Sequence, residues 1–378
     1  MKRNIAISKP EMGNEEWQAV KDPIFNGWVT SGPKVKEFEK KFAEIHNVKY
    51  AIAVTSATTA LHLALVSLNI SEGDEVIVPA FSWVSTANVV LYQRAKIIFS
   101  DINPETFNLD ANKLKGKITS KTKAIIVVHL FGLCADMDEI LSIAGDIPVI
   151  EDCACAAGAS YKNTFAGGLG TLGCFSFHPR KSITTGEGGM ITTNDHTISE
   201  NLNVLRNHGA SLSEEERHVG SKPFLLPDFK VLGYNYRMTD IQGAVGLVQV
   251  KKLLRLIDER DKWANYYIKK LSGIPWLNLP KINSKIKHGW QSFVLMVDEK
   301  KSPMTRNQIM EHLMEKGIST RPGTHAIHML DYYKDSFKYK PDDFPNAKNA
   351  NDFSIAIPLH NKMVKDDYEF IVKTIRSI

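Results

Sequence analysis

Short apolar segments that alternate with helical segments dominate the first half of the chain. The first, YAIAV at residues 50–54, precedes a segment with helical spacing of apolar residues at 58–68. Further strands are predicted at residues 75–80, 95–102, 124–132, 147–152, 173–178 and 189–195. Apolar strands alternating with helices indicate an α/β domain around a mostly parallel, seven-stranded sheet flanked by helices. The functional residues of such sheets gather at the carboxyl ends of the strands.

The pattern changes near residue 236. Residues 236–271 predict a long amphipathic helix, which is followed by a predicted strand and two predicted helices. These lie at residues 292–297, near 304–316 and near 364–376. We therefore expect a large α/β domain at residues 1–250 and a smaller α+β domain at residues 251–378, with the first ~15 residues packed on the smaller one. The polar segment 211–230, which contains prolines, predicts a loop.

Composition narrows the class of protein. With 43% hydrophobic and 24% charged residues among 378, the chain resembles an ordinary globular protein. Its net charge of +5 is modest and its basic residues are dispersed, which argues against nucleic-acid binding. The four cysteines lack metal-site spacing and are typical of free thiols in a reducing compartment. Because we find no signal peptide and no long apolar stretch, we expect a soluble, cytoplasmic protein that binds no membrane.

The segment TSATTALHLAL places small hydroxyl residues between a strand and a helix. The free N–H groups at the start of a helix suit a phosphate, so Ser56, Ala57 and Thr58 are the candidate phosphate ligands. An ordinary helix cap at Thr58 explains the same residues equally well.

Two further strand ends carry candidate residues. In IEDCACAAGA, Glu151 and Asp152 end an apolar strand, where a carboxylate is costly unless a cation or hydrogen bonds meet it. Such a carboxylate suits a protonated ring nitrogen, although a helix cap or an ion pair is an alternative. In PAFSWVSTANVV, Trp83 suits stacking on a flat ligand, with a place in the core as the alternative.

The string SFHPRKSITTGEGG, residues 176–189, places Lys181 between two apolar strands. An amine that attacks a carbonyl must be neutral, a form that partial burial and cationic neighbours such as Arg180 favour. Taken alone, Lys181 could be an ordinary loop lysine. Together, the four features match the phosphate, ring face, ring nitrogen and aldehyde of pyridoxal phosphate, so we predict this cofactor and no metal.

With these strings and with GYNYRMTDIQGAVGLVQVKKL, the chain resembles the DegT/DnrJ/EryC1/StrS family of pyridoxal-phosphate-dependent nucleotide-sugar aminotransferases over almost its whole length. The resemblance implies the fold-type I architecture of aspartate aminotransferase. It also implies that Lys181 bonds to the cofactor aldehyde and later moves a proton, that Asp152 binds the ring nitrogen and that Trp83 stacks on the ring.

Further roles follow from the resemblance. Ala57, Thr58 and Ser176 should hold the phosphate, and Asn235 should reach the phosphate of a second subunit, which makes the active unit a homodimer. Three residues of the GWVTSG segment and two of the TRPGTHAIH segment should contact the sugar substrate. These substrate residues are Trp28, Val29, Thr30, Arg321 and His325. Cys155 occupies a position near the cofactor where many relatives have Gln or Glu, and a thiol is a weaker hydrogen-bond donor.

The resemblance implies a ping-pong reaction through pyridoxamine phosphate. L-glutamate would donate the amino group, and a keto group of a nucleotide-linked deoxysugar, with a 4-keto-6-deoxy sugar favoured, would accept it for amino-sugar, O-antigen, lipopolysaccharide or surface-glycan synthesis. A 3-keto sugar or a keto-inositol is an alternative acceptor. A sugar dehydratase, a non-catalytic regulator and a cofactor-free scaffold are alternative functions. Relatives with dehydratase activity carry His in place of the lysine, and this chain keeps Lys181.

Overall fold

The computed structural model describes residues 3–210, 226–281 and 283–378, so most of the loop predicted at 211–230 lies outside the described residues. The strands, in chain order, are β1 (Tyr50–Val54), β2 (Glu75–Pro79), β3 (Phe81–Ser82), β4 (Lys96–Ser100), β5 (Thr122–Val128), β6 (Val149–Asp152), β7 (Ser160–Tyr161), β8 (Thr164–Phe165), β9 (Leu172–Ser176), β10 (Gly189–Thr193), β11 (Leu277–Asn278), β12 (Ile286–Lys287), β13 (Phe293–Val297), β14 (His325–Ala326) and β15 (Ser354–Ile357).

The α-helices are α1 (Asn14–Ala19), α2 (Lys21–Phe25), α3 (Pro33–His46), α4 (Ala57–Ser67), α5 (Ser85–Tyr92), α6 (Ala111–Leu114), α7 (Met137–Ala144), α8 (His196–Leu205), α9 (Asp240–Leu271), α10 (Arg306–Glu315), α11 (Asp331–Phe337), α12 (Pro345–Phe353) and α13 (Lys365–Arg376). Short 3-10 helices lie at Lys115–Lys117, Leu130–Gly132, Ile327–Met329 and Pro341–Asp343. Among the described residues, none of the helices combines the length and the apolar character needed to cross a bilayer.

The central sheet has seven strands in the order β1-β10-β9-β6-β5-β2-β4, and β10 alone runs antiparallel to its neighbours. Successive side chains of a strand point to opposite faces. Val76 and Val78 accordingly pack in the core cluster that contains α4, whereas Ile77 packs in the cluster that contains α3. Both faces are buried under helices, which confirms the predicted fold class and explains why the strands are apolar along their whole length.

Some element boundaries differ from the predictions. The strand predicted at 124–132 ends at Val128, because the chain turns through a 3-10 helix in which Phe131 has a φ of 58°. The helix predicted from residue 236 begins at Asp240, because the Thr239 side chain accepts a hydrogen bond from the backbone N–H of Gln242 and so caps the helix there.

The last third of the chain contains a second, smaller sheet. Strands β11, β13 and β15 make an antiparallel sheet, whose core also contains Ile5 from the N-terminal segment, next to Ile318. Helix α9 runs without a break across the boundary proposed at residue 250, and it contributes to the clusters on both sides. The division into domains at that residue therefore stays a prediction. Strand β14 pairs with β3 and so brings the last third of the chain to the edge of the central sheet.

Candidate active site

The carboxyl edge of the central sheet collects several of the predicted residues. Across β1, β10 and β9, Val54 pairs with Gly189, which in turn pairs with Ser176. Asp152 ends β6 beside Cys174 of β9, and Ser56 lies two residues after the last residue of β1. One edge of the sheet therefore carries the candidate acid and the candidate phosphate ligands, as expected for a parallel α/β sheet.

Helix α4 begins at this edge and is capped by Ser56. The Ser56 hydroxyl accepts a hydrogen bond from the Thr59 N–H at 3.1 Å, and the Ser56 N–H donates to the Thr59 hydroxyl at 3.0 Å. The alternative of a cap at Thr58 is therefore wrong. Ala57 and Thr58 are the first two residues of the helix, where backbone N–H groups lack a partner within the helix and the helix dipole favours an anion. This arrangement fits a phosphate.

Two of the glycines that follow Lys181 are explained by the structure, one by the position of this helix and one by its backbone conformation. A Cβ atom on Gly189 would lie 2.4 Å from the carbonyl carbon of Ser56 and 2.9 Å from the backbone nitrogen of Ala57. Strand β10 can therefore pass directly behind the start of α4 only if this residue has no side chain. Gly186, three residues earlier, has a φ of +84°, a value that L side chains rarely adopt.

Asp152 is buried at the end of β6 and both of its oxygens are bonded. It accepts hydrogen bonds from the Thr86 hydroxyl at 2.8 Å and from the Ala154 N–H at 3.1 Å. Burial raises the pKa of Asp152, against the opposing effects of these hydrogen bonds and of the charge on Lys181. A protonated ring nitrogen would supply the positive charge that a buried carboxylate requires, so this position fits the predicted ring-nitrogen contact.

Thr86 is a site residue that sequence analysis missed. Its hydroxyl contacts both Asp152 and, at 2.9 Å, the hydroxyl of Ser82. Thr86 is the second residue of α5, and its contact with Asp152 joins residues 66 positions apart in the chain, so no local pattern in the sequence identifies it.

Glu151, the neighbour of Asp152, has a different role. Because adjacent strand residues face opposite sides, Glu151 points away from Asp152. It is fully buried and accepts hydrogen bonds from three backbone N–H groups and from His129. The N–H donors are Gly167, Leu169 and Gly170, at 2.7–2.8 Å, and the His129 Nε2 atom lies 2.8 Å from Oε2. Glu151 therefore holds the chain segment before β9 in place.

A metal is not needed to explain this buried cluster. Ligand atoms of His129, Glu151 and Cys153 lie within 4.8 Å of one another. However, His129 Nδ1 accepts a hydrogen bond from the Ala135 N–H at 3.1 Å, which leaves the ring proton on Nε2 to donate to Glu151. Both ring nitrogens and both carboxylate oxygens already have partners, so the cluster has a structural role.

Lys181 lies in the loop between β9 and β10, and its Nζ atom donates a hydrogen bond to the sulfur of Cys155 at 3.3 Å. Arg180, the cationic neighbour proposed from the sequence, is exposed. The buried cation near this loop is instead Arg260 of α9, whose guanidinium contacts the Ser182 hydroxyl at 3.4 Å and the Trp290 carbonyl at 3.2 Å. Burial lowers the pKa of Arg260 to about 10. Sequence analysis missed Arg260.

Trp83 and His325 form one wall beside this edge. Trp83 is 54% exposed, so the alternative that it belongs to the core is wrong. Its ring centroid lies 5.6 Å from that of His325, which the pairing of β14 with β3 brings next to it. Arg321 is exposed and donates a hydrogen bond to the carbonyl of Thr320.

The loop that contains Trp28, Val29 and Thr30 is anchored to α9. The Thr30 carbonyl accepts a hydrogen bond from the Asp240 N–H at 2.9 Å, and the Asp240 carboxylate accepts from two N–H groups at the start of α3. Burial raises the pKa of Asp240. Val29 at the tip is 46% exposed, whereas the Trp28 indole bonds to the carbonyl of Ser31.

Two predicted residues have less distinctive surroundings. Ser176 is the last residue of β9, and its hydroxyl accepts a hydrogen bond from the His178 N–H at 3.4 Å. Asn235 is exposed, and its backbone pairs with that of Asn207. The roles assigned to these residues, like those of the other site residues, stay predictions.

Comparison with known proteins identifies the family. A model of the DegT/DnrJ/EryC1/StrS aminotransferase family matches residues 10–376. The chain is 37% identical over 382 residues to the spore coat polysaccharide biosynthesis protein SpsC of Bacillus subtilis, an alignment that covers 100% of this chain and 98% of SpsC.

Solved structures agree with this match. Helicobacter pylori PseC, an aminotransferase involved in the biosynthesis of pseudoaminic acid, superposes with a TM-score of 0.91 at 27% identity and covers 99% of both chains. Spr1654 of Streptococcus pneumoniae, known in a PLP form and a PMP form, superposes with a TM-score of 0.90 at 27% identity, over 99% of this chain and 97% or 98% of its own. The chain therefore belongs to the DegT/DnrJ/EryC1/StrS family, and it is a sugar aminotransferase whose cofactor is pyridoxal phosphate.

Proposed function

We propose that this enzyme moves an amino group from L-glutamate to the keto group of a nucleotide-linked deoxysugar, with a 4-keto-6-deoxy sugar as the favoured acceptor. The observation that supports it most is the shared edge on which Lys181, the buried Asp152 and the start of α4 lie. The names of SpsC and PseC, which refer to polysaccharide and to pseudoaminic acid biosynthesis, support a sugar acceptor of this kind.

The proposed roles follow from the contacts. When bound, pyridoxal phosphate supplies an electron sink for the carbon that exchanges its proton. The N–H groups of Ala57 and Thr58 bind the phosphate at the positive end of α4, and Asp152 holds a proton on the ring nitrogen. The Lys181 amine moves the proton at the reacting carbon, because a flexible side chain that is already in place does this without a second reactant.

The substrate side is assigned to exposed residues. Trp83, which is 54% exposed, keeps its assignment to stacking on the cofactor ring, and His325, whose ring lies beside it, is assigned to the sugar. The loop of Trp28, Val29 and Thr30 forms the opposite wall of the sugar site in this proposal. Arg321 is assigned to the anionic diphosphate of the nucleotide, since an exposed guanidinium pairs well with phosphate oxygens.

The active unit in this proposal is a homodimer. Asn235 is exposed on the single chain, where it is available to a second subunit. Helices α1 and α2 expose large apolar side chains, among them Trp17 at 63% and Phe25 at 84%, and apolar exposure of this kind marks protein interfaces. Mixing a Lys181→Ala chain with an Asn235→Ala chain should restore activity if each site uses residues of both subunits, and no restoration would contradict shared sites.

We assign the reaction to the cytoplasm and to the synthesis of an amino sugar for a surface glycan such as an O-antigen or lipopolysaccharide. All four cysteines are free, as expected in a reducing compartment.

A substrate panel tests the proposal. The purified enzyme is incubated with L-glutamate and GDP-, UDP- or dTDP-linked 4-keto-6-deoxy sugars, with 3-keto sugars and a keto-inositol as comparison arms, and the products are read by mass. We expect gain of an amine on a nucleotide-linked 4-keto sugar and formation of 2-oxoglutarate. Loss of water instead would identify a dehydratase, and reaction of only the keto-inositol would refute the nucleotide-linked acceptor. A Lys181→Ala chain is the negative control.

A further inference from the structure

Cys155 and Lys181 form a contact that amino-group transfer does not require. The Nζ atom of Lys181 lies 3.3 Å from the sulfur of Cys155, although the two residues belong to different segments of the chain. Both side chains are partly exposed. The other three cysteines, Cys134, Cys153 and Cys174, are buried. Cys155 is therefore the thiol that a dissolved oxidant reaches first, and an amine lies next to it.

The backbones on both sides of this contact are held in place. Cys155 lies in a turn in which the Ala156 N–H donates to the Cys153 carbonyl at 2.9 Å. The Cys155 carbonyl packs closely on Gly132, where a Cβ atom would lie 3.1 Å from its oxygen. On the other side, the backbone N–H of Lys181 donates to the His178 carbonyl at 2.8 Å. A small side-chain movement is therefore enough to bring the sulfur and the nitrogen to bonding distance.

The buried cysteines are poor competitors for an oxidant. The thiolate is the form of cysteine that attacks an oxidant. Burial raises the pKa of Cys134, Cys153 and Cys174, so these side chains stay protonated at neutral pH as well as being inaccessible. Oxidation should therefore be selective for Cys155.

From this geometry we propose that Cys155 and Lys181 are an oxidative modification site, at which hydrogen peroxide joins the thiol sulfur to the amine nitrogen. In the first step the sulfur attacks one peroxide oxygen and the O–O bond breaks, which gives a sulfenic acid and water. In the second step the lone pair of the Lys181 nitrogen attacks the sulfur, and the S–O bond breaks. The hydroxyl group leaves as water with a proton from the amine. The sulfur loses two electrons, and peroxide gains them.

The link would control loading of the cofactor. The nitrogen that forms the S–N bond is the same one that must bond to the cofactor aldehyde, so the two states exclude each other. A dithiol reverses the link, because one of its thiols attacks the sulfur and releases the amine, and its second thiol then forms a disulfide and frees Cys155. A chain without cofactor would thus be stored in a reversible, protected form under peroxide stress.

Mass spectrometry of the full chain tests this proposal. Cofactor-free protein is treated with hydrogen peroxide, with and without added pyridoxal phosphate, and is then measured intact and after digestion. We expect a loss of about 2 Da and a linked pair of peptides that contains both residues, reversed by dithiothreitol. Saturating pyridoxal phosphate should reduce the linked fraction about tenfold, since it occupies the amine.

Variants separate the link from general oxidation. Cys155→Ser should prevent the link, whereas Cys134→Ser, which removes a buried thiol, should leave it unchanged. In Lys181→Met the sulfenic acid should persist and be trapped by dimedone, a readout that does not depend on enzyme activity. Circular dichroism checks that each variant is folded. Oxygen added to Cys155 with no linked peptides in the unsubstituted chain, or a link that persists in Cys155→Ser, would overturn the proposal.

Discussion

The cofactor side and the substrate side of the site are built differently. Asp152 lies at the end of a buried strand and is held by hydrogen bonds from Thr86 and Ala154. Val29 and Arg321, in contrast, are exposed and lie on segments that connect helices and strands. In the proposed mechanism, the central sheet thus fixes the residues assigned to the cofactor, and the exposed segments present the residues assigned to the acceptor. Changes on the first side should lower kcat, and changes on the second should raise KM.

The largest effect is expected for Lys181→Ala. Removing the amine removes both the bond to the cofactor and the proton transfer, so kcat should fall by at least ~10⁴-fold. Lys181 is only partly buried, so thermal unfolding should change little. Steady-state kinetics and calorimetry check both statements. Lys162→Ala, which removes an exposed lysine, is the matched control. Residual multiple turnover would remove Lys181 from the mechanism.

Asp152→Asn should have the next largest effect. The amide oxygen can still accept the hydrogen bond from Thr86, but the neutral group cannot stabilise a proton on the ring nitrogen, so kcat should fall by ~10²–10³-fold. The comparison variant Thr86→Val removes one hydrogen bond and keeps the charge, and should cost about 1 kcal/mol of stability and less than ~10-fold in kcat. Equal losses of kcat in the two variants would contradict the assigned role of the charge.

Gly189→Ala tests the link between β10 and the phosphate site. The new methyl group would overlap the Ser56 backbone, so the start of α4 must move. We expect a loss of about 1–3 kcal/mol in unfolding free energy, together with weaker cofactor binding. Gly116→Ala, at a position with open space, is the control. Spectroscopic titration with pyridoxal phosphate and urea denaturation provide the measurements, and unchanged cofactor affinity would show that the helix start is not the phosphate site.

Trp83→Ala tests the stacking residue. Because the indole is half exposed, stability should change by less than about 0.5 kcal/mol, whereas loss of stacking should weaken binding of pyridoxal phosphate about tenfold. Val29→Ala should act on the substrate side and raise KM for the sugar nucleotide about twofold, since it removes a smaller apolar contact. Spectroscopic titration and steady-state kinetics provide the two measurements, and a Val29→Ala enzyme with lower kcat and unchanged KM would break the division between the two sides.

The smallest effect is expected for the pH dependence of the unfolding free energy. Because burial raises the pKa of Asp152, the cofactor-free folded chain keeps a proton that the unfolded chain has released. Its unfolding free energy should therefore fall as pH rises from about 4 through the raised pKa of the folded state. Asp152→Asn should remove this fall and be more stable than the parent at pH 7. Urea denaturation between pH 4 and 8 measures the unfolding free energy of both chains, and Asp146→Asn, at an exposed position, is the control. An Asp152→Asn chain that is less stable than the parent at pH 7 would refute the claim.

The sequence predicted the features that depend on local pattern. Apolar strands such as YAIAV indicated the buried sheet, and the string around Lys181 identified the cofactor class. Features that depend on contacts between residues far apart in the chain could not be predicted from the sequence. Thr86 meets Asp152, and Arg260 meets Ser182, only after the chain has folded. Neither contact leaves a periodic signal in the sequence.

The different fates of Glu151 and Asp152 also lay beyond sequence reasoning. Both carboxylates end the same strand, and only their alternation across the sheet assigns one to the backbone before β9 and the other to the site. Helix capping illustrates a local ambiguity, because TSATT offers several hydroxyl residues. The hydrogen bonds between Ser56 and Thr59 identify the one that is used.

Helix α9 contacts two loops that carry candidate site residues. Asp240, its first residue, anchors the loop that carries Val29, and Arg260 further along contacts Ser182, the residue after Lys181. At 1.5 Å per residue, the two anchor points are about 30 Å apart on one continuous rod. An insertion of a single residue between them would rotate one anchor by about 100° relative to the other, given 3.6 residues per turn. The register of this helix thus sets where the loop at residues 28–30 lies relative to Lys181, although no residue between the anchors needs to touch a ligand.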